Sequence, residues 1–137
     1  MKNLDYLAAK HGQMIIEERG GGDPRDVEDA ARKAVHILHE QGIFAMFLWL
    51  HEKSKKGRPA VGEKLSTMLT GLFEGNQKFF DLSDPTGALK AVREQLTQDL
   101  TSMLFVKDLL AQALVYALHR AKAEPQPARG DTAELRA

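Results

Sequence analysis

The sequence predicts an all-α protein, a single small bundle of about five to six helices. Apolar residues recur at the three- and four-residue spacing of a helix face along most of the chain, and no stretch shows the alternation of a half-buried strand. Asp-Pro pairs at 23–24 and 84–85 are typical helix starts. The bundle is expected to span residues 1–123. Residues 124–137 hold almost nothing to bury and are expected to form a disordered tail.

The first two helices are separated by Gly20-Gly21-Gly22, which disfavour helix. Helix one is predicted from about Asn3, a suitable N-cap, to Arg19. Helix two begins with Asp23 as N-cap and Pro24 at the first helical position. Its apolar stripe is narrow and rich in alanine, which predicts close approach to a neighbouring helix. The stripe consists of Val27, Ala30, Ala31, Ala34, Val35 and Leu38.

Residues 41–58 contain an apolar run followed by a basic stretch. Gly42 precedes an unbroken apolar run from Ile43 to Leu50 that contains the only tryptophan. A helix that is apolar on all sides is expected to be buried on all sides, so this segment is predicted to be the central rod of the bundle. Because the pattern changes there from a one-sided stripe to a continuous apolar run, Gly42 is predicted to break or bend the helix.

The later helices follow the same rules. One is predicted from about Ala60 to Phe73, a short one from Pro85 to Leu96, and the last from roughly Thr97 to Ala123. Residues 76–83 contain Phe79, Phe80 and Leu82, and are expected to pack back on the bundle. The last helix is expected to lie centrally, with its apolar residues inward: Leu100, Met103, Leu104, Val106, Leu110, Ala113, Leu114, Ala117 and Leu118.

Composition excludes several classes of protein. The chain has no cysteine, which removes disulfides and thiolate chemistry, and its 19 basic residues equal its 19 acidic ones. A domain that binds nucleic acid strongly by itself usually carries a positive excess. The N-terminus lacks the apolar core of a signal peptide, and no apolar run reaches the roughly 20 residues that span a bilayer. We expect a soluble, cytoplasmic protein without membrane contact.

No catalytic set or cofactor motif is recognisable. Gly20-Gly21-Gly22 follows no strand and carries no Lys-Ser/Thr, so it is not a phosphate-binding loop. His36 and His39 could join His51 as metal ligands, but their order is not the His-Glu-x-x-His arrangement. Exposed or partner-facing histidines are the simpler interpretation. We therefore expect no catalytic residue, no metal site and no cofactor.

A basic cluster follows the apolar run. It comprises Lys53, Lys55, Lys56 and Arg58. Taken alone, such a cluster is most simply a solvated loop. It also suits phosphate contacts, which require flexible cations rather than a fixed spacing. Other basic residues extend it if their helices face the same side: Arg32, Lys33, Arg120 and Lys122.

One segment also suggests a family. Residues 36–53 read His-Ile-Leu-His-Glu-Gln-Gly-Ile-Phe-Ala-Met-Phe-Leu-Trp-Leu-His-Glu-Lys. They resemble part of the small all-helical subunit of the Cmr complex, the type III-B CRISPR RNA-guided effector. That family has a helix, an Asn-Gly-Leu type turn, and an apolar Leu-Ala-Phe-Leu helix ending in lysine. Here Gln41-Gly42-Ile43 stands at the turn and Lys53 at the end.

A second match is the last helix, from Leu109 to Lys122, which like the family's final helix is rich in alanine, contains an aromatic residue and ends in basic residues. The resemblance covers residues 1–123 in pattern and about thirty residues in detail. The proline often found before the family's glycine turn is absent, and Tyr116 stands where the family usually has tryptophan. The small subunit of type III-A complexes is a near neighbour and stays open as an alternative.

The resemblance implies a non-catalytic subunit of an antiviral-defence ribonucleoprotein. Its partners would be the backbone subunits, the large polymerase-like subunit, further copies of itself, and the guide and target RNA. Copies would stack head to tail and contact RNA phosphate and sugar, since base pairing reads the sequence. The basic residues named above are then the candidate RNA contacts. The alternative is a helical adaptor for protein partners, without a nucleic-acid role.

Overall fold

A computed structural model of the chain describes residues 3–20, 23–52, 56–73, 78–97 and 99–123. These residues form six α-helices and no strand, which confirms the predicted all-α class. The helices are α1 Leu4–Glu17, α2 Pro24–Gln41, α3 Ile43–Leu50, α4 Arg58–Phe73, α5 Pro85–Ala91 and α6 Leu100–Ala123, with a π-helical turn over Val92–Leu96. The predicted tail at 124–137 lies outside the described residues.

The predicted helix starts are confirmed by their caps. The Asn3 side chain accepts a hydrogen bond from the Tyr6 amide at 3.0 Å. The Asp23 carboxylate accepts one from the Arg25 amide at 2.9 Å, with Pro24 at the first helical position. Each cap satisfies an amide that the helix leaves without an internal partner.

The core is built where α6 packs against α1 and α2. A Cβ atom on Gly12 of α1 would lie 2.4 Å from the Ala113 carbonyl oxygen and 2.7 Å from the Tyr116 Cβ, so only glycine permits this approach. The alanines Ala30, Ala31 and Ala34 of α2 are buried, as the narrow stripe predicted. Among the helices of the described residues, α6 is the one long and apolar enough to cross a membrane. Its contacts with α1 and α2 instead favour a core helix of the bundle.

Gly42 breaks the helix. Its φ of +103° lies outside the range of ordinary residues. Its amide donates to the carbonyls of Ile37 and Leu38 at 3.2 and 3.0 Å, which closes α2, and its own carbonyl accepts from the Met46 amide at 3.1 Å, which opens α3. Gly42 thus takes part in the backbone hydrogen bonding of both α2 and α3.

The expected burial of α3 on all sides is wrong. Ile43, Met46, Phe47 and Leu50 are buried, but Leu48 is 51% exposed. The helix has only eight residues, and its described contacts are with α2, α4, α5 and the π-helical turn. These neighbours leave one side of α3 open to solvent.

Residues 78–84, which we call the strap, cross from α4 to α5. Phe79 and Phe80 are buried as expected, and both of their amides donate to the Ser66 hydroxyl, at 2.8 and 3.2 Å. The Phe80 ring lies where a Cβ on Gly62 would be, so the strap rests directly on the α4 backbone. Leu82 is 39% exposed, so the expectation that it packs inward is wrong.

The start of α6 also departs from expectation. Leu100 and Leu104, predicted to face the core, are 65% and 50% exposed. Glu17 near the end of α1 pairs with Arg120 near the end of α6, and α1 has 14 residues against 24 in α6. The first turns of α6 therefore extend beyond the start of α1 and lack that neighbour.

Candidate nucleic-acid interface

The turn between α3 and α4 lies directly against the first turn of α2. Gly57 has a φ of +83°, and a Cβ atom there would lie 2.3 Å from the Asp26 carbonyl oxygen. The backbone of the turn therefore touches the α2 backbone, which only glycine allows. Lys56, next to Gly57, is exposed. Lys53 and Lys55, the other lysines of the predicted cluster, lie outside the described residues.

Arg58 makes its contacts inside the protein. Its guanidinium carbon lies 3.6 Å from the centre of the Trp49 ring. The same guanidinium donates to the Trp49 carbonyl at 2.9 Å and to a Glu52 carboxylate oxygen at 2.6 Å. Only 12% of the side chain is exposed. The charge of Arg58 is thus engaged within its own chain and is largely unavailable to a phosphate.

Two ion pairs link the end of α1 to other helices. Arg120 near the end of α6 donates to Glu17 at 3.0 Å, and Lys64 of α4 donates to Glu18 at 3.0 Å. Together with the packing of Gly57 on Asp26, these contacts connect the start of α2, the first half of α4, the end of α1 and the end of α6. We call this region the basic end, defined by Lys56, Arg58, Arg120 and Lys122.

Arg32 and Lys33 lie further along α2. Arg32 donates to Glu28 at 2.7 Å and to Asp29 at 3.1 Å, two exposed helix-surface pairs of the kind that contribute little to stability. Lys33 is exposed and stands seven residues after Asp26. Because seven residues are two helical turns, it shares a helix face with Asp26, about 10 Å from it along the axis. Lys33 therefore continues the side of α2 on which the turn lies.

The electrostatics of the basic end are mixed. Glu17, Glu18 and Glu52 lie there and pair with Arg120, Lys64 and Arg58. Within the described part of the chain, no ion pair is formed by three exposed lysines: Lys33, Lys56 and Lys122. These ammonium groups are available to a phosphate.

The histidines considered as metal ligands are not brought together. His36 and His39 are exposed on α2, whereas His51 is buried after α3. The Asp81 amide donates to His51 Nε2 at 3.1 Å, so Nδ1 carries the proton and donates to the Phe47 carbonyl at 2.7 Å. Over the residues that the structure describes, no three His, Cys, Asp or Glu side chains could hold a metal ion.

An open groove of about 670 Å³ lies between α4 and the strap. Glu63 and Asp81 are among its lining residues, together with Thr67, Thr70 and Lys78. Hydrogen bonds from the Ser83 hydroxyl and amide lower the pKa of Asp81. This carboxyl is therefore held in its ionised form, which does not suit a general acid at neutral pH.

The contact between Arg58 and Trp49 and the packing of Gly57 on α2 were not visible in the sequence. Nine positions and an intervening loop separate Arg58 from Trp49. A lone tryptophan followed by a basic loop was the available signal, but cation–π pairing has no fixed spacing across a turn.

Comparison with protein-family models, with curated proteins and with solved structures found no match. The resemblance of residues 36–53 and 109–122 to the small Cmr subunit therefore rests on those residues alone. What the chain does is accordingly a proposal, argued from its own geometry.

Proposed function

We propose that this chain is the non-catalytic small subunit of a type III CRISPR RNA-guided effector, which contacts the backbone of the guide–target RNA in antiviral defence. The observation that carries the proposal is the order of parts around α3. A glycine break at Gly42, a short apolar helix and a basic turn follow one another, in the order of the family segment that residues 36–53 resemble. The type III-A small subunit remains the neighbouring assignment.

The exposed lysines of the basic end support phosphate contact. Lys56 is exposed in the turn before α4, Lys122 is exposed in the last turn of α6, and nearby Lys33 is exposed along α2. Flexible ammonium groups bind phosphate without reading bases, which suits a complex whose sequence specificity comes from base pairing. The zero formal net charge also suits a subunit with a local basic surface and other faces against protein.

The exposed start of α6 supports a place within an assembly. Leu100, Leu104 and Phe105 are exposed within two turns of one helix. Clustered apolar exposure of this kind commonly marks a protein contact. We propose that another subunit, in the first place a further copy of this chain, covers it. A stack of copies is a heterologous contact, whose length other subunits must limit.

The first experiment tests the complex itself. The tagged full-length chain is purified from its native cells, and the co-purifying RNA and proteins are identified. Guide RNA together with a large polymerase-like subunit is the expected result. Protein partners without guide RNA would instead favour the helical adaptor, which the exposed start of α6 also suits.

The second experiment tests the interface. In the purified complex, Lys53, Lys55 and Lys56 are changed together to alanine, and retention of a labelled RNA complementary to the guide is measured across a salt series. Retention is expected to weaken. The slope of the logarithm of affinity against the logarithm of salt concentration is expected to become shallower by somewhat under one unit for each lost phosphate contact. The matched control changes Lys10, Lys90 and Arg93, which are exposed on other elements and remove the same charge. Equal losses in both variants would reject the basic turn as the interface.

A further inference from the structure

The contact between Arg58 and Trp49 closes the base of the basic turn. Arg58 is the first residue of α4, and Trp49 lies in the last turn of α3. The guanidinium stacks on the indole ring at 3.6 Å and donates to the carbonyl of the same residue at 2.9 Å. That carbonyl also accepts from the Glu52 amide at 3.2 Å, and it lies in the last turn of the helix, where a cation is favourable. Arg58 therefore also caps α3.

The opposite side of the turn is held by packing. Gly57 rests on the Asp26 carbonyl, so its backbone has no room to move toward α2. Glu52 accepts from Arg58 at 2.6 Å, which gives the guanidinium a second hydrogen-bond partner besides the Trp49 carbonyl. Positions 57 and 58, which directly follow Lys56, are thus held by α2 and by α3.

We propose that Arg58 is a positioning residue for RNA binding, and that the Trp49–Arg58 pair is a clamp that presents Lys56 to phosphate. This inference rests on the proposed function and deepens it. Arg58 has little exposed surface to offer a phosphate, whereas Lys56 beside it is exposed. A turn held in its binding conformation loses less conformational freedom when it binds, which raises affinity without an added contact.

Replacing Arg58 with lysine separates a clamp from a simple charge contact. A lysine at position 58 keeps the positive charge and can donate hydrogen bonds, but it lacks the planar guanidinium that stacks on the indole while one of its nitrogens donates to both acceptors. If Arg58 served RNA by its charge, Arg58→Lys would bind like the unchanged protein. If Arg58 serves as a clamp, Arg58→Lys is expected to lose most of the affinity that Arg58→Ala loses.

Trp49 supplies a readout that does not depend on RNA. It is the only tryptophan, so its emission reports on the clamp alone. Arg58→Ala and Arg58→Lys are expected to shift that emission to longer wavelength and to increase its quenching by acrylamide. Lys56→Ala is the matched control, expected to leave the emission unchanged while weakening RNA retention. Circular dichroism confirms that each variant is folded.

The experiment measures RNA retention by the purified complex and Trp49 emission of the purified chain for the three variants. We expect both Arg58 variants to weaken retention about five- to tenfold, with altered emission. Wild-type retention by Arg58→Lys, or unchanged emission in Arg58→Ala, would overturn the clamp. If changing Lys53, Lys55 and Lys56 together leaves retention intact, the proposed interface fails, and the emission of the Arg58 variants still decides whether the clamp exists.

Discussion

A glycine with positive φ directly precedes α3 and another directly precedes α4, but the two glycines are constrained differently. At Gly42 a Cβ atom would meet nothing within 4 Å, so the constraint is the backbone conformation alone. At Gly57 a Cβ atom would also lie 2.3 Å from the Asp26 carbonyl oxygen. The joint before α3 is thus open, whereas the glycine before α4 is packed against α2.

The end of α3 is further secured by contacts that its start lacks. His51 accepts from the Asp81 amide, and its ring lies 4.5 Å from the ring of Phe80. Arg58 binds the Trp49 carbonyl on the other side. The carboxyl end of this short apolar helix is therefore held by side chains of the strap and of α4, next to the candidate interface.

The largest expected effect comes from removing the aromatic ring that secures this end. Phe80 is 5% exposed and lies between Gly62 and His51, so Phe80→Ala leaves a cavity and frees the strap. We expect a loss of about 3–5 kcal/mol in the free energy of unfolding, measured by urea denaturation. Phe105→Ala is the matched control, because Phe105 is exposed on α6, and is expected to change stability by less than about 0.5 kcal/mol. Similar losses in both variants would show that the strap does not secure α3.

The next effect tests the packed glycine. Gly57→Ala forces a methyl group against the α2 backbone in addition to straining φ, so we expect a loss of about 3 kcal/mol in urea denaturation. Gly71→Ala in α4 is the control, because a Cβ there meets nothing within 4 Å and alanine favours helix. A Gly57→Ala protein as stable as the unchanged chain would mean that the turn does not rest on α2 in solution.

A smaller effect is expected at the open joint. Gly42 combines φ +103° with ψ −179°, a conformation restricted almost entirely to glycine, but it has free space around it. Gly42→Ala is therefore expected to cost about 1–2 kcal/mol, less than Gly57→Ala under the same conditions. A larger loss of stability for Gly42→Ala than for Gly57→Ala would contradict the contrast between the two glycines.

Much of the fold followed from local rules in the sequence. Asn3 and Asp23 act as predicted caps because capping depends on one side chain and the next few amides. The burial of Phe79 and Phe80 followed from their size and hydrophobicity. These features need no knowledge of which helix lies beside which.

The wrong burial predictions and the unpredicted contacts share one physical cause. Periodicity shows which residues of a helix are apolar, but not how far the neighbouring helix extends, so Leu48, Leu100 and Leu104 were expected in the core and are exposed. For the candidate site, the sequence named the basic residues, but the contacts of Arg58 depend on how α3 and α4 meet. The ion pair between Arg120 and Glu17, which shows where α6 ends, is likewise a tertiary contact.

The smallest effect on stability is expected from acid, which acts on His11 of α1, near Lys64 of α4. Burial lowers the pKa of His11, with a smaller opposing contribution from its hydrogen bond to the Leu7 carbonyl. A proton on this ring would also meet the charges of Lys10 and of Lys64, whose ion pair with Glu18 joins α4 to α1. Because the folded chain disfavours the charged form of His11, the unfolded chain binds more protons than the folded chain as the pH falls.

The stability that neutral His11 contributes is therefore complete above the ordinary histidine pKa of 6.5 and is lost as the pH falls from there toward the lowered value. Urea denaturation from about pH 7.5 to about pH 5.5 measures this loss. His11→Asn removes the titrating group and is expected to reduce the pH dependence, whereas the same change at exposed His36 leaves it in place. An equal slope in the His11→Asn protein would assign the acid response to other groups and leave the packing of α1 on α4 insensitive to this proton.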